Sequence, residues 1–216
     1  LKPGTLPGAA KADPPARIEP QLATQAPKPP GGDEPAERTG ERWLHEIKFD
    51  GYRTMAHVVD GQVRLITRAG IDWTKRYGDL PQAFSRLPVG QAIIDGEIVV
   101  LDDKGISRFA LLQDALSAGA GSKLHFYAFD LLHLDGWDLR KAPLGKRKAL
   151  LAELLAGLGP SSAIQYSDHV EGDGQGLFDQ ASDLGLEGVV SKRADAVYMS
   201  GRSKSWTKAK APKTDD

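Results

Sequence analysis

The chain contains no cysteine. That excludes disulfides, thiolate metal sites and a cysteine nucleophile, and it is compatible with a reducing cytosol. No apolar run reaches the ~18 residues of a membrane span. The N-terminus lacks the basic patch and apolar stretch of a secretory signal, and the expected location is cytoplasmic, with no membrane partner. Two phosphate-binding fingerprints are also missing, G-x-x-x-x-G-K-[ST] and G-x-G-x-x-G, so any phosphate chemistry must use another architecture. Excess charge is missing too: the formal net charge is −1. Contact with nucleic acid would therefore need a local basic surface, and the evident basic cluster lies between Arg202 and Lys213.

What is present is ordinary for a globular protein: 216 residues, 40% hydrophobic and 26% charged, enough for one large domain or two small ones. Residues 1–40 hold most of the prolines and almost no aliphatic run, and they read as an arm or interdomain linker. The expectation is a flexible arm over 1–16 and a folded domain over 17–216, with Ile18 to Leu22 able to dock as a short anchored piece. A leading linker suggests a chain cut from a longer, multidomain protein.

From Trp43 onward the pattern is regular. Strands are predicted at 43–49, 52–59, 63–68, 92–101, 124–132, 187–192 and 205–210, and helices at 73–87, 106–117, 143–156 and 175–184. Asp60-Gly61 between two strand-like runs signals a hairpin. Grouped strands with helices between them favour an α+β fold of antiparallel sheets with flanking helices.

Several strands carry polar residues that a buried sheet would not otherwise hold. In 43–53, alternation places Glu46, Lys48 and Asp50 on one face and Ile47 and Phe49 on the other, which belongs in a core. Gly51 lets the chain turn and bring Arg53 back to the same region; a solvated edge strand is the alternative. In 92–100, Asp95 and Glu97 interrupt an apolar run, where a charge is costly unless paired or functional; a turn at Asp95-Gly96 is the alternative. Phe126, Tyr127 and Phe129 suit a core, although an aromatic at a strand end can also stack on a base. Glu187 stands at the rim of a sheet, on the face opposite Lys192 if its strand is regular. Trp206, Lys208 and Lys210 share one face, an arrangement that also protects edge strands from aggregation. Together, one candidate lysine nucleophile, acidic residues in strands, paired lysines, Arg53 and Arg68 make an inventory suited to phosphoryl chemistry.

The order of these blocks resembles that of the covalent nucleotidyltransferase superfamily of DNA ligases, RNA ligases and mRNA capping enzymes. Lys48-Phe-Asp50-Gly51-Tyr-Arg53 resembles its K-x-D-G-x-R motif, and Thr67-Arg68-Ala-Gly70 the following arginine motif. Asp95-Gly96-Glu97, Phe126 to Leu131, Glu187 to Lys192 and Ser205 to Lys210 are similar to the later motifs in family order. The wording around them is similar to the ligase (adenylation) domains of bacterial ATP-dependent DNA ligase D, the end-joining ligases, and Ile18-Glu-Pro-Gln-Leu-Ala resembles the start of that domain. Such ligases carry a C-terminal OB-fold domain, which is expected to be absent here because the chain stops just after the last block.

The resemblance implies the ATP-grasp-like nucleotidyltransferase fold of DNA ligases. It implies that Lys48 attacks the α-phosphate of ATP, that AMP passes to the 5′-phosphate of a DNA nick, and that the 3′-hydroxyl displaces it. By similarity Glu97 and Arg53 hold the ribose and Arg68 lies near sugar and phosphate. Phe129 stacks on adenine with Val189 or Val190 on the opposite ring face; Glu46 reads the adenine edge, and Ile47, Lys192, Lys208 and Lys210 also bind nucleotide. Glu187 and Glu97 are the expected ligands of Mg²⁺ or Mn²⁺. Implied partners are nicked or broken double-stranded DNA, bacterial Ku, and OB-fold, polymerase and phosphoesterase domains of the same polypeptide. An RNA ligase, a capping-type enzyme and an idle nucleic-acid-binding module are the alternatives.

Overall fold

The computed structural model describes residues 2–31 and 40–213. The part of the expected linker at 32–39 lies outside the described residues. Twelve strands are described: β1 (Ala10–Lys11), β2 (Gln21–Gln25), β3 (Trp43–Ile47), β4 (Tyr52–Val59), β5 (Gln62–Thr67), β6 (Gln91–Val99), β7 (His125–Leu134), β8 (Trp137–Asp138), β9 (Ile164–Tyr166), β10 (His169–Glu171), β11 (Gly188–Arg193) and β12 (Gly201–Lys210). The α-helices are α1 (Leu80–Phe84), α2 (Phe109–Ser117), α3 (Leu144–Ala156) and α4 (Gly174–Asp183). None is long and apolar enough to cross a membrane.

Among the described residues the strands form two sheets. The first runs β1-β8-β7-β6-β4-β5 with β9 added beside β7, and the second runs β10-β3-β11-β12-β2. Most pairings are antiparallel, as expected; β7 with β9 and β12 with β2 are parallel. Asp60-Gly61 closes the β4–β5 hairpin with Val59 opposite Gln62, and both turn residues have positive φ (50° and 81°), which suits the strand twist.

Side-chain alternation explains the layers. On β4 and β6, Ala56, Val58, Ala92, Ile94 and Ile98 face a large apolar cluster that includes Phe84, Leu112, Leu150 and Leu151 from the helices. Each fully buried Val, Ile, Leu or Phe side chain of this cluster contributes about 1.5–3 kcal/mol. The opposite parity on the same strands puts Met55 and Ile93 into a second cluster with Ile18, Tyr198 and Trp206, between the two sheets.

Two expectations are corrected. Of the expected arm, the described residues 2–16 are not free. Leu6 is buried, Gly4 lies so close to Trp137 that a Cβ would sit 2.6 Å from its ring, and Ala10 and Lys11 pair with Asp138 and Trp137. The Ala12 carbonyl also meets His133 Nε2 at 2.8 Å. Few side chains suffice because backbone groups make the contacts, which composition does not report. The helix expected at 73–87 is a 3-10 turn (Thr74–Tyr77) and the short α1, divided by Gly78 at φ 56° and restarted by Pro81. The turn weighed at Asp95-Gly96 does not occur: β6 runs through it.

Candidate active site

A cavity of about 520 Å³ lies between the two sheets. The register shows why these residues line it. Across the second sheet, Glu46 pairs with Val190, Val190 with Lys208, and Lys192 with Trp206, so these side chains project from one face. His45, Ser191 and Ala209 have the opposite parity; His45 Nδ1 and Ser191 Oγ are 2.7 Å apart on that far side. From the first sheet come Arg53, opposite Glu97 in the β4–β6 register, and Phe129 of β7.

Lys48 follows immediately after β3. Its backbone N–H donates to the Gly188 carbonyl at 2.9 Å, extending the sheet row by one step to Lys48, Gly188 and Lys210. Gly188 has φ 155°, and a Cβ there would collide with the Ala209 carbonyl oxygen, so no side chain separates the two lysines. Lys48 Nζ donates to Glu187 Oε1 at 2.5 Å, while Glu187 Oε2 is buried without a hydrogen-bond partner. Glu187 precedes β11 and reaches the same side as Lys192, unlike the opposite-face expectation for a regular strand.

The alternation argument holds for Glu46 and Lys48 and fails for Ile47 and Phe49. Both are half-buried and line the cavity instead of entering a core. The strand ends at Ile47, so period two no longer applies beyond it, and Phe49 stacks on Tyr127 with ring centroids 4.2 Å apart.

Buried charge beneath the cavity is paired. Arg53 donates from Nε and Nη2 to the two oxygens of Asp95, each at 2.6 Å, and from Nη2 to the Gln21 carbonyl at 2.9 Å. Burial opposes the charged guanidinium, and Asp95 overcomes it, raising its pKa. Tyr198 adds a hydroxyl bond to Asp95 Oδ2 at 2.6 Å and accepts the Gln21 N–H at 2.9 Å. Glu46 Oε2 lies 3.0 Å from both Lys148 Nζ and Lys192 Nζ. Burial works against the Glu46 carboxylate, and the two ammoniums hold its pKa below the usual value. Burial pushes Lys192 down to about 8. Its ammonium lies 4.0 Å from the Phe129 ring centroid and 4.2 Å from that of Trp206.

Glu97 is partly exposed to the cavity, yet its desolvated surroundings raise its carboxyl to about 7 against the pull of Arg53 and Lys48. At the rim, partial burial, then Lys48, Lys210, Arg202 and Arg68, lower the pKa of Lys208.

The cavity thus brings together Glu46, Ile47, Lys48, Arg53, Arg68, Glu97, Phe129, Val190, Lys192 and Lys208. Glu187 joins through Lys48, and Lys210 is exposed one step beyond Lys208 on β12. Sequence reasoning missed the wall that Leu22 and Ala23 of β2 supply, and Trp73 and Arg202. It also missed the support given by Gln21, Tyr198 and Lys148 from behind; a buried polar side chain outside any motif leaves no local signal.

The ATP dependent DNA ligase domain family matches residues 20–210. This chain belongs to that family. Among ATP-dependent ligase relatives, the multifunctional non-homologous end joining protein LigD of Pseudomonas aeruginosa is 40% identical over 196 residues, 91% of this chain and 22% of that protein. The LigD DNA repair protein of Mycobacterium tuberculosis is 37% identical over 170 residues, covering 78% of this chain and again 22% of the relative. A solved structure of mycobacterial DNA ligase D complexed with ATP and MES superposes with a TM-score of 0.74 at 33% identity, over 89% of this chain and 60% of that one. The ligase domain of M. tuberculosis LigD gives 0.73 at the same identity and coverage. The fold is therefore that of DNA ligase nucleotidyltransferase domains, and the chain spans about a fifth of the length of these curated relatives.

Proposed function

We propose that this ligase domain catalyses self-adenylation: Lys48 attacks the α-phosphate of ATP, forms lysyl-AMP and expels pyrophosphate. The observation that carries the reading is the placement of Lys48 at the cavity edge, in direct contact with Glu187 and one glycine away from Lys210 in the sheet. A lysine must shed a proton to form the phosphoramidate bond, and Glu187 Oε1 is the acceptor in contact with Nζ. Lys208, Lys210, Arg68 and Arg202 then face the charge that grows on the phosphates. Phe129 and Val190 flank the base, Glu46, Ile47 and Lys192 lie along it, and Glu97 and Arg53 are assigned to the ribose. Because Asp95 and Gln21 take two edges of the Arg53 guanidinium, Nη1 is the edge left for a ligand.

Mg²⁺ or Mn²⁺ fits the unpartnered Glu187 Oε2 and the cavity-facing Glu97 carboxyl. Among the described residues no three acidic or histidine side chains cluster as a complete metal site, so phosphate oxygens would complete the shell. When bound, the ion would neutralise phosphate charge. The acceptor of the adenylate is proposed to be the 5′-phosphate of a nicked or broken duplex; the LigD relatives' names suggest end joining within a multifunctional polypeptide as the setting, and bacterial Ku is the partner proposed with it.

The test is incubation with α-labelled ATP and a divalent ion, followed by denaturing electrophoresis. Label that survives denaturation supports the reading; its absence overturns it. Labelling by GTP in preference to ATP would favour a capping-type enzyme.

A further inference from the structure

The Glu46 cluster holds an imbalance that the proposed chemistry does not use. Two ammoniums, Lys148 of α3 and Lys192 of β11, address one oxygen, Glu46 Oε2, each at 3.0 Å, and all three side chains are at most 2% exposed. One carboxylate against two ammoniums leaves a buried charge of +1 beneath the cavity. Such charge is costly without further partners. Lys148 has them: Nζ donates to the Ser167 carbonyl at 2.8 Å and lies 4.9 Å over the Tyr166 ring. Ser167 Oγ donates in turn to Glu46 Oε1 at 3.0 Å, so the carboxylate is gripped from the helix side. Lys192, by contrast, has Glu46 and two ring faces, and it lines the cavity. Its N–H capacity is the part of the cluster left over.

Resting on the reading that ATP fills this cavity, we propose that Lys148 is a positioning residue for the base. By sharing Glu46 with Lys192, it fixes the carboxylate at the cavity wall and leaves the Lys192 ammonium to donate to a ring nitrogen. Without Lys148, Glu46 and Lys192 would form a closed one-to-one pair, drawn together and withdrawn from the ligand.

The charged groups facing Lys192 are few. Glu46 of β3 attracts it, Lys148 of α3 repels it, and Asp130 of β7 attracts it from behind its own pair with Arg147 at 2.8 Å. Arg53 of β4 lies over the same two rings, at 4.9 and 5.5 Å from their centroids. Removing the repulsion of Lys148 therefore keeps Lys192 protonated to higher pH, and a ligand that needs its N–H follows that proton.

The experiment measures self-adenylation rate against ATP concentration and pH for the whole chain and for Lys148→Met, with the double variant Glu46→Gln/Lys148→Met as control. In the unaltered chain, KM for ATP should rise as pH passes about 8, the value of Lys192. In Lys148→Met, KM near neutral pH should rise about tenfold, the size of one lost polar contact. Its kcat should change less than about threefold, and the alkaline rise should move to higher pH. A merely structural lysine would lower the active fraction without moving that limb. An unchanged KM and limb in Lys148→Met overturns the proposal while labelling of the unaltered chain still upholds the adenylation reading. If Lys148→Met does not fold, the unaltered chain and the double variant decide. A KM independent of pH around 8 overturns the proposal; a rise there that the double variant moves to lower pH, because the lost attraction of Glu46 outweighs the lost repulsion of Lys148, supports it, and an upward shift overturns it.

Discussion

At the floor of the cavity Arg53 has both oxygens of Asp95, Lys192 has Glu46, and Arg147 behind them has Asp130. At the rim, no carboxylate among the described residues pairs with Arg68, Arg202, Lys208 or Lys210, and the pKa of Lys208 is depressed by burial and by its cationic neighbours. The same residue types thus serve opposite ends. Charge sealed from water must be paired and held by several bonds, and so it fixes geometry. Charge left open at a rim costs little in water and keeps its capacity for an anion that arrives later. Lys48 stands at the boundary, partly exposed and bonded to one carboxylate.

Four substitutions sharpen or break this comparison. Lys48→Ala should abolish covalent AMP labelling while the melting temperature stays close to that of the unaltered chain, because Lys48 is not needed to seal the floor. Residual label would place the nucleophile elsewhere. Asp95→Ala should cost about 3–5 kcal/mol in urea unfolding, since it strands the Arg53 guanidinium and the Tyr198 hydroxyl. A loss below about 1 kcal/mol would mean that floor charges are as dispensable as surface ones.

Glu97 is the floor group without a settled charge, and the sign follows from its raised carboxyl. Below about 4.5, its ordinary value, both folded and unfolded chains hold the proton, and burial costs nothing. Between there and about 7 the unfolded chain ionises first, so stability falls as pH rises; above about 7 the deficit is constant. Glu97→Gln should therefore gain melting temperature relative to the unaltered chain as pH climbs through that window. A difference independent of pH would show that Glu97 is not desolvated. The smallest effect on the fold is expected for Lys208→Ala, within about 0.5 kcal/mol, although KM for ATP should rise. Calorimetric destabilisation well beyond that would give the rim a structural role.

The legible parts of this molecule are those whose signal is local. β4, β6 and β7 announce themselves by apolar runs, the Asp60-Gly61 hairpin by its turn residues, and the cavity face of β12 by the alternation of Trp206 and Lys208. Glu46 and Lys48 face the cavity as alternation predicts. Phe49 lies beyond the end of β3, where period two no longer applies, and Ile47, the last residue of that strand, lines the cavity as well. Arg147 and Lys148 lie in the predicted helix 143–156 with no motif around them, yet they are fully buried; their partners Asp130, Glu46 and Ser167 come from other strands and loops. β8, β9 and β10 are two or three residues long, too short for periodicity to register.

The pairing of β2 with β12 joins residues about 180 positions apart in the chain, with Gly201 opposite Gln21 and Lys208 opposite Gln25. A ribosome making this polypeptide produces the Leu22 and Ala23 wall early and its sheet partner near the end of this stretch. The cavity therefore has no complete outline until β12 has emerged, although every strand of the first sheet precedes it in the chain. Lys48 is thus made well before the strand that completes the pocket around it.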